Sequence, residues 1–190
     1  MALLIPLLVA SVTMIIVGRL SYRHHQLLRT VEYLAHRDDL TGLLNRRAFR
    51  EAADARLAAR APQFVTLLLI DVDHFKRVND GYGHDAGDTA LRHVAAVLER
   101  MAPEGASVAR WGGEEFAMLC DWDDRLRLAD GVCAAVANSP CDYDGQMIAM
   151  TVSIGVATGT GATIAPLLRR ADAALYDAKG DGRNRWTMAA

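Results

Sequence analysis

The segment Arg110-Trp-Gly-Gly-Glu-Glu-Phe116 decides how the rest of the chain is interpreted. β-prone residues flank its two glycines, since Val108 precedes them and the run to Cys120 follows. Two glycines between such runs predict a β-hairpin with a primed turn, which requires positive φ. Glu114 and Glu115 come directly after the glycines, although adjacent like charges at a turn are mildly destabilising. The plain interpretation is a solvated acidic hairpin, and the alternative is a site that needs both carboxylates.

A second stretch, Phe64-Val-Thr-Leu-Leu-Leu-Ile-Asp-Val-Asp73, favours the site. Its apolar run has the length of a buried strand and ends in two carboxylates. If this strand lies beside the hairpin, Asp71 meets Glu114 and Glu115. Clustered carboxylates that stay ionised need a cation, and a ligand set made only of oxygen atoms suits Mg²⁺. Together the two segments therefore predict a magnesium site.

The composition is that of one globular domain with additional segments. The chain has 190 residues, of which 52% are hydrophobic, and a formal net charge of -2. This length is enough for a sizeable core, and the near-neutral charge gives no support for binding a nucleic acid polymer. Cys120, Cys133 and Cys141 have no zinc-ligand spacing, so we interpret them as core thiols in a reducing cytosol.

Hydrophobic periodicity predicts helices that alternate with strands. The predicted helices cover residues 45–59, 85–101, 123–138 and 163–179, the last of them capped by Thr163, and residues 75–83 are predicted to form a short helix and a loop. The predicted strands cover residues 64–72, the two arms of the hairpin, 146–149, 150–158 and a short segment at Trp186. Because one hairpin interrupts the alternation, we expect an α+β or α/β fold with helices on a mixed sheet.

Five motifs in this order resemble the GGDEF domain of diguanylate cyclases, over about residues 38–186. They are Asp39-Leu-Thr-Gly-Leu-Leu-Asn-Arg-Arg47, Asp71-Val-Asp-His-Phe-Lys-Arg-Val-Asn79, Gly83-His-Asp-Ala-Gly-Asp88, the Arg110–Phe116 segment, and Ala171-Asp-Ala-Ala-Leu-Tyr-Asp-Ala-Lys179 with Gly182-Arg-Asn184. The resemblance implies a ferredoxin-like core, similar to the palm of polymerases and adenylyl cyclases. Such a core has a mixed, mainly antiparallel sheet flanked by helices. We expect it at residues 39–187, preceded by one hydrophobic N-terminal helix.

The resemblance also implies an activity, that of a diguanylate cyclase. This nucleotidyltransferase, with chemistry like that of phosphorus–oxygen lyases, condenses two GTP molecules into cyclic di-GMP and releases two pyrophosphates. Each step is attack by a 3'-hydroxyl on an α-phosphate, which needs a deprotonated hydroxyl and neutralised phosphate charge. Because two GTP molecules must meet, a homodimer is expected. The alternative is a catalytically inactive GGDEF domain that serves as a nucleotide-binding regulatory module.

Catalytic and metal-binding roles follow from the same resemblance. It assigns Asp71, Glu114 and the carbonyl of Val72 as metal ligands, for two Mg²⁺ ions per active site, with Mn²⁺ as an alternative ion. Glu114 is also the candidate that accepts the hydroxyl proton, and Glu115 assists at the metal. Lys76 would place a positive charge near the phosphoryl oxygens.

The resemblance assigns substrate binding to Phe75, Asn79, Asp88, Lys179 and Arg183. The Asp88 carboxylate can accept hydrogen bonds from guanine N1–H and the 2-amino group together, whereas adenine offers neither donor. The plainer interpretation of Asp88 is a helix cap or an acid in the first turn. Lys179 and Arg183 would in the same way be cations favoured near a helix C-terminus. Asp73 is left out of the metal ligands.

The first 20 residues are predicted to form a transmembrane helix. The uncharged run of residues 2–18 would span roughly 26 Å as a helix, slightly less than the roughly 30 Å of a bilayer core. Arginines after the run indicate a cytoplasmic C-terminal side. We therefore expect a single-pass protein of the inner (cytoplasmic) membrane with its catalytic domain in the cytoplasm. Two alternatives stay open: a cleaved signal peptide, and a helix that packs on the soluble domain or belongs to a larger sensor.

Residues 21–38 are predicted to form a helical stalk. Apolar and polar positions spaced four-three-four-three favour a short coiled coil with a polar residue in its seam. The seam positions are Leu20, His24, Leu27, Val31 and Leu34. Because the pattern covers only about two heptads, an amphipathic linker helix on its own domain explains it nearly as well.

Overall fold

The structure is a computed structural model that describes residues 36–59, 64–121 and 125–189, together with Met14 and Arg19. The chain divides into two compact units, Met1–His36 and Arg37–Ala190. All the helices and strands named below belong to the second unit. The predicted stalk at residues 21–38 lies outside the described residues except for its last three positions, and the coiled-coil seam lies wholly outside them.

The described part of the second unit contains eight strands and five helices. The strands are β1 (Leu44–Asn45), β2 (Val65–Val72), β3 (Ser107–Gly112), β4 (Glu115–Asp121), β5 (Cys141–Tyr143), β6 (Gln146–Ile148), β7 (Val152–Gly159) and β8 (Trp186–Met188). The helices are α1 (Arg46–Ala59), α2 (Phe75–Tyr82), α3 (His84–Met101), α4 (Arg125–Ala137) and α5 (Ala165–Gly180).

Six of these strands form one mixed sheet with the order β1-β3-β4-β2-β7-β8, and β5 pairs with β6 in a separate hairpin. The two outer pairs, β1 with β3 and β7 with β8, are parallel, whereas the three inner pairs are antiparallel. The predicted α+β class, with a mixed and mainly antiparallel sheet flanked by helices, is therefore confirmed. The predicted N-terminal hydrophobic helix is not supported.

Strand β2 lies in the middle of the sheet, and all eight of its residues are buried. Its side chains alternate between two hydrophobic clusters, as the period of a strand requires. Ile70 and Val72 join the cluster that contains residues of α2, α3 and α4, and Leu67 and Leu69 join the cluster that contains residues of α1 and α5. Helices therefore cover both faces, and the run of apolar residues that predicted a buried strand reflects this double coverage.

Helix α5 packs unusually close to β7 at Gly155. A Cβ atom added there would overlap the carbonyl oxygen of Ala171 and the backbone nitrogen of Leu175. The absence of a side chain thus lets the backbone of α5 rest directly on the strand. As a result, the C-terminal turn of α5, which carries Lys179, reaches the end of β2.

The hairpin turn differs from its prediction by one residue. Gly112 pairs with Glu115, and the register shifts between Arg110 and Gly112, so Trp111 forms a β-bulge. The turn therefore consists of Gly113, with φ of +52°, and Glu114 rather than of the two glycines. The extra residue could not be inferred from the glycines alone, because the register between β3 and β4 decides which residue is left unpaired.

The predicted cap of the last helix by Thr163 is wrong. The residue before α5 is Ile164, and it makes no side-chain capping hydrogen bond. Its backbone N–H instead donates to Oδ1 of Asp54 at 2.7 Å. Asp54 belongs to α1, so the acceptor comes from a helix far away in sequence, and local pattern could not predict it.

The predicted membrane location is contradicted. Over residues 36–59, 64–121 and 125–189, the structure contains no helix that has both the length and the apolarity needed to cross a membrane. A span requires about 20 consecutive apolar residues, whereas α3, with 18 residues, carries charged residues along its exposed face. The segment for which a transmembrane helix was predicted, residues 1–20, lies outside the described residues except for Met14 and Arg19.

Candidate active site

The end of β2 lies beside the hairpin, as the sequence suggested. Asp71 is the register partner of Glu115, and the N–H of Val72 donates to the carbonyl oxygen of Glu114 at 3.2 Å. Because Asp71 follows Leu67 and Leu69 on the same side of β2, its side chain lies on the α1 and α5 face of the sheet. The residues Asp71, Glu114 and Glu115 therefore come together where β2 ends and β4 begins.

Lys179 pairs with this acidic cluster. Its Nζ lies 2.8 Å from Oδ2 of Asp71, a position that depends on the close packing of α5 on β7. Burial raises the pKa of Asp71; the hydrogen bond and the charge of Lys179 act in the opposite direction, while the charges of Glu114 and Asp73 raise it further. Asp71 is thus a carboxylate held in an environment that is short of positive charge.

The ionised form of Glu115 is destabilised in the same way. Burial and the charge of Asp71 raise the pKa of Glu115, and the charges of Asp172 and Glu114 add to the shift, although Lys179 opposes it. Acids that repel each other at one edge of a sheet are stabilised when a cation binds between them.

The donor set fits a divalent metal ion that prefers oxygen. Asp71, Glu114 and the carbonyl of Val72 supply two carboxylates and one backbone oxygen, which suit Mg²⁺ or Mn²⁺. In the part of the chain that the structure describes, no group of three or more His, Cys, Asp or Glu side chains is arranged to hold a metal ion. The predicted set has only two such side chains, so the remaining ligands would come from water and from substrate phosphates.

A cleft of about 310 Å³ lies on the other side of the hairpin, next to α2 and α3. Five of the predicted site residues line it: Phe75, Lys76, Asn79, Asp88 and Glu114. The structure therefore brings nine of the ten predicted positions into two neighbouring groups, the cleft and the acidic cluster with Lys179, and the tenth is Arg183. Arg183 lies in the loop after α5 with a φ of +64°, and its N–H donates to the carbonyl of Ala178 at 3.1 Å.

Gly87 explains how Asn79 reaches the cleft. A Cβ atom on Gly87 would overlap Oδ1 of Asn79 and would lie 3.1 Å from the ring of Phe75. The glycine in the second turn of α3 therefore leaves room for both side chains. Gly87 lies within one of the sequence motifs, but the sequence does not predict this role, because the role depends on a contact between two helices.

The plainer interpretation of Asp88 does not hold. The residue before α3 is Gly83, which makes no side-chain capping hydrogen bond, and the acid in the first turn is Asp85. Asp88 lies one turn further along and is exposed at the cleft. Its carboxylate is therefore available to a ligand.

Arg110 fixes the hairpin turn, a role that the sequence analysis missed. Its Nε and Nη2 donate to the carbonyl oxygen of Gly113 at 2.9 and 2.8 Å. Its Nη1 lies 3.3 Å from Oδ2 of Asp38. Burial would raise the pKa of Asp38, but hydrogen bonds from Thr41 and the charge of Arg110 together lower it. The segment before β1 is thus tied to the turn that carries Glu114.

Asp73 is held by hydrogen bonds from neighbouring elements of the fold. It is 6% exposed. Its carboxylate accepts hydrogen bonds from the hydroxyl groups of Thr151 and Ser153, each at 2.7 Å, and from the N–H of Asn184 at 3.0 Å. These bonds tie the end of β2 to the start of β7 and to the loop that contains Arg183. The spacing in the sequence gave no signal for these partners.

Comparison with known proteins identifies relatives of this site and fold. Residues 35–185 match the family described as diguanylate cyclase, GGDEF domain. The chain is 45% identical over 162 residues to diguanylate cyclase DgcM of Escherichia coli, covering 82% of this chain and 38% of that protein. It is 40% identical over 160 residues to response regulator PleD of Caulobacter vibrioides, covering 80% of this chain and 35% of that protein. The chain thus spans well under half the length of these relatives.

One solved structure is similar to this chain over nearly the whole length of both. It is the crystal structure of the coiled coil and GGDEF domain of DgcB from Caulobacter crescentus in complex with c-di-GMP. The TM-score is 0.82 and the sequence identity 34%, and the match covers 90% of this chain and 95% of that chain.

Proposed function

The chain belongs to the GGDEF diguanylate cyclase family, and from this we propose that it condenses two GTP molecules into cyclic di-GMP with release of two pyrophosphates. The observation that carries the proposal is the joining of two groups at one hairpin. On one side lie Asp71 and Glu115 of the acidic cluster, with Lys179 paired to Asp71. On the other side lies the cleft lined by Asn79, Asp88 and Glu114, among others.

In this mechanism the cleft holds the guanine base. The Asp88 carboxylate accepts from N1–H and the 2-amino group, and Asn79, held against Gly87, provides a second polar contact. The ring of Phe75 forms part of the apolar wall. A purine without these donors would leave the carboxylate unpaired, which disfavours its binding.

The acidic cluster handles the phosphates and the proton. Asp71, Glu114 and the Val72 carbonyl would hold the divalent metal ion, and Glu115 would assist. The bound metal would neutralise phosphate charge and lower the pKa of the attacking 3'-hydroxyl. Glu114 would accept the hydroxyl proton.

The basic residues of the proposed site have a separate task. Lys76, Lys179 and Arg183 would contact the triphosphate. Support comes from Lys179, whose ammonium already neutralises Asp71 at 2.8 Å, and from the loop of Arg183, which Asp73 holds through Asn184.

A homodimer follows from the reaction, because each domain has one such site and the product joins two substrates. Two-fold symmetry would make the sites face each other, so that the 3'-hydroxyl of each GTP attacks the α-phosphate of the other. The similar DgcB structure contains a coiled coil together with its GGDEF domain. We propose that the stalk predicted at residues 21–38 serves the same arrangement here.

The test is to incubate the purified full chain with GTP and Mg²⁺ and to identify the product by mass spectrometry. Wild-type protein should form cyclic di-GMP and pyrophosphate in a ratio of one to two. Asp71→Asn and Glu114→Gln should each lower turnover by at least about 100-fold while the thermal unfolding curve stays cooperative.

Glu104→Gln is the matched control, because Glu104 is an exposed acid in the turn before β3 and its replacement should leave turnover unchanged. Nucleotide binding by the wild-type chain without any product would instead support the regulatory module. Near-normal turnover in Asp71→Asn or Glu114→Gln would remove those residues from the proposed site.

A further inference from the structure

A separate basic pocket lies on the face of the sheet covered by α1 and α5. It has a volume of about 320 Å³ and is called the arginine pocket below. Its basic side chains are Arg46 and Arg50 of α1 and Arg169 of α5. Trp111 of β3 and Leu69 of β2 belong to the cluster of that face and form its floor. The guanine cleft is lined by α2 and α3, so the two cavities are distinct.

The charge of the arginine pocket is unbalanced. Three guanidinium groups face a single carboxylate, Asp172. Arg46 and Arg50 are four residues apart and therefore lie on the same side of α1, where like charges repel. Among the residues that the structure describes, Arg50 and Arg169 form no hydrogen bond or ion pair. An anion that bound between the two helices would relieve this repulsion.

Trp111 holds one of the arginines in a conformation suited to binding. The guanidinium carbon of Arg46 lies 4.5 Å from the centre of the Trp111 ring. The ring itself is fixed by an edge-to-face contact with Phe49, with 6.0 Å between the centres. Stacking occupies the flat face of the guanidinium and leaves its N–H edge free to donate. The side chain thus loses little conformational freedom when it binds an oxyanion.

Size and chemistry together indicate the ligand class. The volume is at the small end of the range for small-molecule sites, roughly 300–1,000 Å³, which is too small for a folded partner. Guanidinium groups bind phosphate oxygens in a bidentate manner. We propose that the arginine pocket is a second anion site of this protein and binds a small phosphate-bearing anion. Inorganic pyrophosphate and a nucleoside phosphate share this chemistry.

The pocket shares its strands with the proposed active site. Leu69 precedes Asp71 by two residues on the same face of β2, and Trp111 is the bulge residue that leads into the Glu114 turn. A bound anion would therefore contact the residues directly before the carboxylates. Binding itself does not depend on the proposed cyclase activity, so the two proposals can fail independently.

The experiment is calorimetric titration of the full chain without divalent metal, with inorganic pyrophosphate in one arm and guanosine 5'-monophosphate in the other. We expect the arginine pocket to bind one anion per chain saturably in both arms, in addition to any nucleotide held by the proposed guanine cleft. The Arg50→Gln/Arg169→Gln double variant should weaken it at least about tenfold, as expected for the loss of charged hydrogen bonds. Tighter binding in one arm identifies the source of the phosphate.

Two controls locate the site. Arg47→Gln changes the neighbouring exposed arginine of α1, which pairs with Glu51 instead, and it should not alter the affinity. Trp111→Phe should abolish the change in tryptophan fluorescence on binding while the calorimetric affinity persists, because phenylalanine can still support Arg46.

Two results would overturn the proposal. One is the absence of saturable binding in both arms. The other is unchanged affinity in the Arg50→Gln/Arg169→Gln variant whose unfolding temperature matches that of the wild type. Single Arg50→Gln and Arg169→Gln variants provide the same comparison if the double variant is less stable, and unchanged affinity in both of them would also contradict it.

Discussion

Two aspartates at the end of β2, Asp71 and Asp73, have different surroundings, although only Val72 separates them. Asp73 accepts three hydrogen bonds from neighbouring elements, so its carboxylate is occupied by the fold itself. Asp71 has Lys179 as its ion-pair partner and lies near other acids that raise its pKa. A carboxylate that is destabilised in this way gains the most when a metal ion binds. This contrast explains why the residues are not interchangeable in the proposed mechanism.

Glu115 should make the stability of the metal-free protein depend on pH. Burial and the charge of Asp71 raise its pKa above the ordinary value of 4.5, so the folded protein keeps this proton to higher pH than the unfolded chain does. Its contribution to stability is complete below the unfolded pKa and is lost as pH rises through the folded pKa. Glu115→Gln should therefore increase the free energy of unfolding relative to wild type, more at pH 8 than at pH 4.

Urea denaturation with a chelator present measures this difference, and Glu104→Gln serves as the exposed control. An equal effect of Glu115→Gln at both pH values would show that Glu115 has no raised pKa in the folded protein.

Asp88 should determine the choice of purine. Asp88→Ala should lower the ratio of kcat/KM for GTP over ATP by about two orders of magnitude or more, because the wild-type carboxylate would be left unpaired by adenine. The free energy of unfolding should hardly change, since Asp88 neither caps α3 nor lies in its first turn. Steady-state rates with both nucleotides provide the measurement.

Asp85→Ala is the matched control for this prediction. Asp85 is the acid in the first turn of the same helix, so its loss should cost about 0.3–1 kcal/mol of stability and leave the nucleotide ratio unchanged. If Asp88→Ala preserved the preference for GTP, the guanine contact would have to come from another residue.

At the scale of elements, local periodicity predicted the long helices and the buried strand correctly. Residues 85–101 and the strand ending at Val72 were found almost as expected, because their apolar spacing directly reflects burial. Strand β1, with two residues, and β5, with three, were missed, since such short strands have no detectable period. The bulge at Trp111 and the role of Asp54 at α5 were also missed, because each depends on partners that are distant in sequence.

The packing of α5 on β7 should be sensitive to one methyl group. Gly155→Ala would force the new Cβ into the backbone of α5, so the free energy of unfolding should fall by about 1–3 kcal/mol or more. The helix would also move away from the sheet, and the Lys179–Asp71 pair would lengthen, so turnover should fall in the protein that remains folded.

Gly180→Ala provides the comparison, because nothing lies within 4 Å of a Cβ atom at the last residue of α5. This substitution should be neutral or stabilising by up to about 1 kcal/mol. Denaturation curves and turnover of the two variants are compared. If Gly155→Ala were as stable as Gly180→Ala, the close contact between α5 and β7 would not determine the position of Lys179.

At the scale of the whole molecule, the site depends on the topology of the sheet. The carboxylates come from β2, β4 and the turn between β3 and β4, the proposed guanine cleft from α2 and α3, and Lys179 from α5. The motifs in the sequence identified these residues as a set. The sequence could not predict that Glu114 lines the cleft while Glu115 is the register partner of Asp71, because the bulge and the register decide this. In the proposed reaction each domain supplies one half-site, so two domains must meet.

The last prediction concerns how two half-sites meet. A chain that begins at Arg37 keeps the whole second compact unit, so it should fold and bind GTP. It lacks the seam predicted along Leu20, Leu27, Val31 and Leu34, and its domains must then meet by diffusion. Its specific activity should be lower than that of the full chain and should increase steeply with protein concentration. A fused dimeric coiled coil in the correct register should restore the activity, because it raises the effective concentration of the second site. Rates measured from nanomolar to micromolar protein test this, and full activity of the truncated chain at nanomolar concentration would show that the seam is not needed for dimerisation.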